Sequence, residues 1–401
     1  MYTIKVKLYP NKEMFNLLYN NCNATRFIYN YGLNKSIKYY KKTEKILSIY
    51  EISADIPKLK EKLEFLQLAD STSLQQSLKD LNQAYQNFFR RVKRGENSGF
   101  PRFKSRFTSR YSFRCVMNNT VNGNKIKIGK YRNITFRCSK RDKELLNNYR
   151  IKNVTVVLDG KYFYASVLID YNKPISNEFQ YKVCGIDVGV TKPFSIAYKK
   201  DRELICKTNG IKTRHKLKKL ELKRKKIQKS LARKSKGSNN RNKCKIKLSN
   251  IYRKERQVRK DFIEKFTTQL ATRFKTITIE DLKLKHMTKS AKGTIENPGK
   301  NVKVKSDLNR ELLRLGFGTF KQRLIDKQKV RQHFVVLVNP KYTSQICSNC
   351  GHKDKNSRIS QSEFICAKCG YEINADYNAS INILSRGIKV LKGNTQLGKV
   401  A

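Results

Sequence analysis

Residues 342–384, YTSQICSNCGHKDKNSRISQSEFICAKCGYEINADYNASINIL, constrain the fold more than any other stretch of this chain. Two knuckles, Cys347-x2-Cys350 and Cys366-x2-Cys369, stand fifteen residues apart. Four soft thiolates in two tight turns are the donor set and spacing of a closed tetrahedral zinc site. Seven residues past the last cysteine comes Asp376, followed by helix-compatible sequence with Ile381, Ile383 and Leu384 as its apolar positions. A small metal ribbon therefore delivers a carboxylate to a helix start. Taken alone, the stretch reads equally well as a staple, with Asp376 serving only as that helix's N-cap.

Charge narrows the partner. The 401 residues carry 88 Lys+Arg against 31 Asp+Glu, a net charge of +57 and a pI near 10.1. A field of that sign calls for a polyanion. No apolar run approaches the roughly 18 residues of a spanning helix, and MYTIKVKLYP lacks the apolar core of a signal peptide, so a cytoplasmic protein with no membrane partner is expected. Outside the zinc set, Cys22, Cys115, Cys138, Cys184, Cys206 and Cys244 are scattered singly, as thiols of a reducing compartment are. Histidine is confined to His215, His286, His333 and His352, so acid–base chemistry centred on imidazole is not what the chain offers.

In chain order, TIKVKLY alternates and stops at Pro10, which predicts one strand that must find partners elsewhere. Residues 11–95 turn helical; Leu74, Leu78, Leu81, Tyr85, Phe88 and Val92 mark the cleanest stripe, with Ser71 or Ser73 as its cap. The opposite face carries Gln75, Gln76, Lys79 and Arg90, suited to nucleic acid or simply to solvent. GFPRFKSRF, residues 99–107, interleaves aromatics with Arg and Lys, including Arg102 and Lys104, as base stacking with phosphate neutralisation requires. From 107 to 170, short alternating runs split by Asn122-Gly123 and Asp159-Gly160 turns predict a small basic β-barrel closed by the N-terminal strand, with the helical segment inserted into it.

VCGIDVG, with Asp187 emerging from an apolar strand, then FSIAY and ELICKT open a second sheet of RNase H-like pattern. Two helices, marked by Leu217, Leu220, Ile227 and Leu231 and by Ile251, Val258, Phe262, Phe266, Leu270 and Phe274, flank the basic turn SKGSNNRNK. Their Lys- and Arg-dominated faces favour nucleic-acid contact. TITIEDL ends a strand at Glu280 and Asp281; residues 283–306 then predict a mobile loop, Leu308–Gln332 a helical stretch, and HFVVLVNP a strand. Residues 391–401 are expected to be disordered. The whole is a multidomain α+β chain. Its expected division is a barrel from 1–10 and 107–180, a helical lobe over 11–106, an α/β domain from 181–341 and 373–390, and the ribbon at 342–372.

Asp187, Glu280 and Asp376 can converge at one end of a single sheet. Three carboxylates without a nearby histidine are what two divalent ions require, and hard oxygen donors suit Mg²⁺ or Mn²⁺ rather than zinc. Two such ions, about 3.5 to 4 Å apart, activate a water and stabilise the departing oxygen of a phosphodiester. Singly, each acid reads better as a cap or a surface charge; jointly, in a chain this basic, the shared metal site is the stronger reading.

GIDVGVTKPFSIAY, TITIEDLK and CSNCG…CAKCGYEINADYNASINI resemble the RuvC nuclease motifs and zinc ribbon of TnpB proteins, transposon-encoded relatives of type V CRISPR effectors. The resemblance extends to KVKLYPNKE, RFIYNYGL, LNQAYQNFFRRVKRG and GFPRFKSR, nearly the whole chain. It implies an RNA-guided DNA endonuclease: a guide RNA from the transposon end binds one protein monomer and pairs with target DNA beside a short adjacent motif. In that picture Asp187, Glu280 and Asp376 are the catalytic, Mg²⁺-binding acids, and Cys347, Cys350, Cys366 and Cys369 hold structural Zn²⁺. The barrel resembles the wedge domain, the helical insertion the recognition lobe, and 283–305 the lid of the nuclease site. Thr72, Gln75 and Lys79, with Arg102 and Lys104, fall where nucleic acid is contacted; glutamine to adenine is a sensible direct contact. Rival readings are a nuclease-inactive RNA-guided repressor, a compact type V CRISPR effector and a transposase proper; the presence of all three acids speaks against the first.

Overall fold

The structure is a computed structural model that describes residues 1–45, 47–96, 98–106, 111–171, 178–189, 193–200, 203–209, 211–393 and 398–400. The chain divides into two compact units, Met1–Pro174 and Ile175–Ala401. The 107–110 and 172–177 parts of the expected barrel, and residues 190–192 of the GIDVGVTKPFSIAY run, lie outside the described residues.

In the first unit, β1 (Tyr2–Tyr9) buries Ile4, Val6 and Leu8 on one face, as its alternation requires. Pro10 ends it, and Asn11 caps α1 (Lys12–Thr43) by accepting the Met14 N–H at 2.8 Å. Short helices α2 (Ile49–Ser53), α3 (Asp55–Lys62) and α4 (Glu64–Gln67) lead into α5 (Ser71–Lys93). The cap of α5 is neither Ser71 nor Ser73 but Asp70, whose Oδ1 accepts the Ser73 N–H at 2.9 Å. A buried carboxylate meets the positive helix end better than a hydroxyl does, and Lys130 N–H holds its other oxygen. Leu74, Leu78 and Leu81 pack against α1, whereas Val92, at the far end of the same stripe, is 51% exposed.

The remaining strands are β2 (Ser112–Cys115), β3 (Thr120–Asn122), β4 (Lys125–Ile128), β5 (Tyr131–Arg137), then α6 (Lys140–Asn148), β6 (Ile151–Asp159) and β7 (Tyr162–Ile169). They form a seven-stranded sheet in the order β2-β6-β7-β1-β5-β4-β3. The N-terminal strand joins two parts of this sheet, β5 on one side and β7 on the other. It sits centrally, with Lys7 aligned to Arg137 of β5 on one side and to Tyr164 of β7 on the other. Both expected turns are present, with Gly123 at φ +58° and Gly160 at φ +66°, a backbone region that glycine enters without cost.

The second unit begins with β8 (Tyr181–Asp187), β9 (Phe194–Lys200) and β10 (Glu203–Asn209), an antiparallel meander. The basic hairpin α7 (Ile211–Ala232) and α8 (Asn239–Arg273) returns the chain to β11 (Phe274–Glu280), parallel to β8. Where a loop is expected, the chain forms the short α9 (Leu284–Met287) and starts α10 (Val302–Leu315); α11 (Phe317–Val330) follows. The helical stretch is broken at Gly316, φ +71°, where a Cβ would come within 2.9 Å of the Arg259 side chain. Then come β12 (Phe334–Val338), the ribbon hairpin β13 (Glu363–Ile365) and β14 (Glu372–Asn374), α12 (Ala375–Leu391) and β15 (Gly398–Val400).

The six-stranded order is β10-β9-β8-β11-β12-β15. Phe194, Phe266 and Phe320 fill the layer between one face and helices α8, α10 and α11, while α12 covers the other through Ile381, Ile383 and Leu384. The tail departs from the disorder expected of it. β15 pairs antiparallel with β12, Val400 opposite Val336, and so covers an apolar edge whose N–H and C=O groups would otherwise lack partners. The tail residues 394–397 and 401 lie outside the described residues. Among the described residues no helix is long and apolar enough to cross a membrane.

Candidate active site and metal ribbon

Asp187 and Glu280 are the last residues of β8 and β11, adjacent parallel strands in which Ile186 aligns with Ile279. Parallel pairing makes both strands end at one sheet edge, about 4.8 Å apart, and two carboxylates leave it side by side. The third comes from α12, which lies directly on the strands because glycines remove the side chains between them. A Cβ at Gly185 would meet backbone Leu384 N and Ser380 O at 2.4 Å, and one at Gly387 would meet Thr278 Oγ1 at 2.0 Å. From Ser380 back to Asp376 the helix climbs about 6 Å, and from Gly185 to Asp187 the strand advances about 6.6 Å. The three acids accordingly line one cavity of about 460 Å³.

Asp376 is not the helix cap. Asn374 takes that role, accepting the Asp376 N–H at 3.2 Å and placing the aspartate in the first turn. The remaining neighbours fix the acids in place. Thr343 Oγ1 donates to Glu280 Oε1 at 2.6 Å, and Val188 N–H donates to Asp187 Oδ1 at 2.9 Å. Burial pushes the Asp187 carboxyl up to about 7, with the charges of Glu280 and Asp376 adding to the rise. Burial also raises Glu280, and the Thr343 hydroxyl opposes this. A buried carboxyl whose proton affinity is raised by two neighbouring acids is poised for a cation, whose charge would favour its ionised form.

Sequence pattern alone does not find Thr343, Arg358 and Arg386. Arg358, from the stretch between the two cysteine pairs, lines the same cavity and favours ionised Asp187; Arg386, one turn beyond Asn382 on α12, favours ionised Glu280. A lone threonine, or a lone arginine in a chain with this many cations, carries no spacing signal.

The four cysteine Sγ atoms lie within 4.8 Å of one another, with Cys347–Cys369 at 3.8 Å and Cys350–Cys366 at 3.6 Å. Four sulfurs placed tetrahedrally at about 2.3 Å from zinc are about 3.8 Å apart, so the cluster fits that ion. Each knuckle is built alike: the N–H of Gly351 or Gly370, both at positive φ, returns to the carbonyl of Cys347 or Cys366. The ribbon is tied to α12 by Asn378, which accepts the Ser348 N–H and donates to Ile346 O, and by Asn382, which donates to Thr343 O and Ile346 O. The metal knuckle thus sets the position of the helix that carries Asp376.

The expected nucleic-acid contacts all lie in the first unit. Gln75 and Lys79 are exposed along α5, and Thr72 donates its hydroxyl to Asp70 at 2.6 Å. Arg102 is exposed, whereas Lys104 lies 3.7 Å over the Tyr29 ring. Lys104 lines a cleft of about 420 Å³ with Gln76, Asp80 and Arg114, on the neighbouring stripe of α5 from Gln75 and Lys79.

Three family profiles match the chain: a helix-turn-helix domain of OrfB from IS605 over residues 2–45, "Probable transposase" OrfB_IS605 over 166–291, and the Cas12f1-like TNB domain over 317–383. A relative from Escherichia coli (strain K12), named "Putative RNA-guided DNA endonuclease InsQ", is 34% identical over 372 residues, 92% of this chain and 88% of its own. A Streptomyces pristinaespiralis protein named "Putative RNA-guided DNA endonuclease" is 27% identical over 96% of this chain and 89% of its own. Among solved structures, a Cas12f1–sgRNA–target DNA complex superposes with a TM-score of 0.61 at 15% identity, covering 93% of this chain and 83% of that one, a likeness of fold.

Proposed function

This chain belongs to the TnpB family, and we propose that it is an RNA-guided DNA endonuclease of a transposon, cutting target DNA beside a short adjacent motif. The observation that carries the reading is the convergence of Asp187, Glu280 and Asp376 in one cavity, where burial and mutual repulsion hold Asp187 near 7. The second unit is read as a RuvC-like domain with its zinc ribbon. The sheet of the first unit is read as the wedge, helices α1–α5 as the recognition lobe and residues 283–305 as the lid. Mg²⁺ or Mn²⁺ held by the three carboxylates would supply an activated water and charge stabilisation at the departing 3′-oxygen.

The chain's own groups divide the remaining work. Thr343 orients Glu280 by donating to Oε1 and favours its ionised form against the burial that opposes it. Arg358 places positive charge in the cavity beside Asp187, where a phosphodiester oxygen would gather negative charge. Zinc on Cys347, Cys350, Cys366 and Cys369 would supply rigidity alone, since all four positions are filled by protein. Guide RNA pairing supplies sequence specificity, which leaves the protein mainly backbone contacts, and a net charge of +57 suits that task. The presence of all three acids speaks against the repressor reading.

The test is to co-express the chain with its flanking noncoding sequence, purify the complex, and incubate it with a matched duplex and Mg²⁺ beside an Asp187→Ala control. Cutting that requires magnesium, the RNA match and Asp187 supports the nuclease. RNA-dependent binding without cutting turns the reading to a repressor, and absence of bound RNA removes the proposal.

A further inference from the structure

Strand β9 alternates along its length. Phe194, Ile196 and Tyr198 pack into the layer shared with α8 and α11, whereas Ala197, on the opposite face, meets Ile381 and Leu384 of α12. Ser195 belongs to the α12 face, where burial calls for a small apolar residue; it is 1% exposed and yet carries a hydroxyl. Its Oγ has no hydrogen-bond partner among the described residues. A polar group buried without a partner is destabilising, so the hydroxyl needs a use, and its register supplies one. Ser195 is the residue aligned with Asp187 across the antiparallel β8–β9 pair. Aligned residues share a face, with Cβ atoms about 4.5 to 5.5 Å apart, so a turn about χ1 brings the serine hydroxyl within hydrogen-bond reach of the carboxylate. Among the described residues the donor to Asp187 is the Val188 N–H, which holds Oδ1 alone. Ser195 does not line the carboxylate cavity, so it can act on the chemistry only through the acid.

We propose that Ser195 is a positioning residue for Asp187, its hydroxyl donating to Oδ2 and fixing the plane of the carboxylate that holds a divalent cation. The proposal rests on the reading of the three acids as a metal site. A matching contact is already present on the neighbouring strand, where Thr343 Oγ1 donates to Glu280 Oε1 at 2.6 Å. Each strand-borne acid then has a hydroxyl from another segment to orient it. A carboxylate held at Oδ1 alone can swing about χ2, and one held at both oxygens offers its cation a single orientation. Removing a partner of this kind typically weakens metal affinity roughly 10- to 100-fold.

The experiment uses the full chain and follows Tm against Mg²⁺ for wild type, Ser195→Ala and Thr278→Val. Thr278 is the matched control. It is fully buried on β11 with its Oγ1 also unpartnered among the described residues, but it lies beneath Gly387 of α12 and aligns with Gly185 rather than with an acid. Each variant removes an unpaired buried hydroxyl, so the metal-free Tm is expected to stay level or rise slightly in both. Ser195→Ala alone is expected to move the Mg²⁺ midpoint about 10-fold higher, and half-maximal guided cutting should require more Mg²⁺ by the same factor. Ser195→Thr, which keeps the hydroxyl, should return the midpoint towards wild type. An unchanged midpoint in Ser195→Ala overturns the proposal. Equal weakening in Thr278→Val overturns it too, as a general loosening under α12, and so does a lowered metal-free Tm in Ser195→Ala with no change of midpoint, which marks a structural hydroxyl. The two readings fail separately: a wild-type Tm that ignores Mg²⁺ removes the metal site and the serine's role with it, whereas a wild-type shift that Ser195→Ala shares in full removes the serine's role alone.

Discussion

Replacing Asp187 with asparagine should stabilise the metal-free protein while disabling it, and the gain should grow with pH. An aspartate in an unfolded chain titrates near 3.9, and in the folded second unit Asp187 is pushed up to about 7. A carboxyl raised in this way contributes stability while protonated in the fold, fully present below about pH 4 and lost as pH rises through about 7. Three units at 1.36 kcal/mol each bound the cost of ionising it at about 4 kcal/mol. Asp187 is partly accessible to solvent, and half of that bound, about 2 kcal/mol, is the expected gain at pH 8, falling to about 0.5 kcal/mol or less at pH 4. For a unit of 150 to 250 residues, 2 kcal/mol corresponds to roughly 4 to 8 °C in Tm. Thermal unfolding of wild type and Asp187→Asn from pH 4 to 8, in a magnesium-selective chelator, reads this directly. Added Mg²⁺ should raise the wild-type Tm by binding the folded state, by about 2.7 kcal/mol at a hundredfold excess over Kd, and should leave the variant unmoved. A gain that is flat with pH, or a variant less stable at pH 8, would refute the argument that burial and repulsion load this carboxylate.

Other outcomes follow from single contacts. Gly185→Ala places a methyl against backbone atoms at 2.4 Å, so α12 must shift; stability should fall by about 1 to 3 kcal/mol and cleavage by about 100-fold, checked by denaturation and single-turnover rates. Thr343→Val removes the hydroxyl that opposes the rise of Glu280, so the acidic limb of the pH–rate profile should move to higher pH, and a profile that stays in place would count against that role. Cys366→Ser, or a zinc-selective chelator with Mg²⁺ in excess, should release one zinc per chain and loosen the ribbon's hold on α12, seen as new proteolysis between residues 347 and 373 together with lost cutting.

Local rules made the local parts legible. The knuckles announce themselves because metal ligands need fixed spacing, and each ends in a glycine at positive φ that the turn demands. Hairpin turns at Gly123 and Gly160 and the apolar stripes of α5 and α8 follow from backbone freedom and periodicity in the same way. What could not be read is set by distant partners. A strand's place in its sheet is invisible in its own alternation, so nothing in TIKVKLY says that β1 joins β5 to β7. A helix cap is chosen by who competes for it, and Asp70 rather than Ser71 or Ser73 takes this one, its second oxygen accepting the backbone N–H of Lys130, sixty residues away. The tail reads as disordered for want of apolar residues, yet three of its residues order against the bare edge of β12. Most telling are Gly185 and Gly387. Nothing near them in sequence asks for glycine, since neither has positive φ, and their reason lies in a helix and strands far apart in sequence, Gly185 meeting Leu384 and Gly387 meeting Thr278. The carboxylates were visible as residues; the two glycines that let Asp376 come down beside Asp187 were not, and on that close approach the chemistry depends.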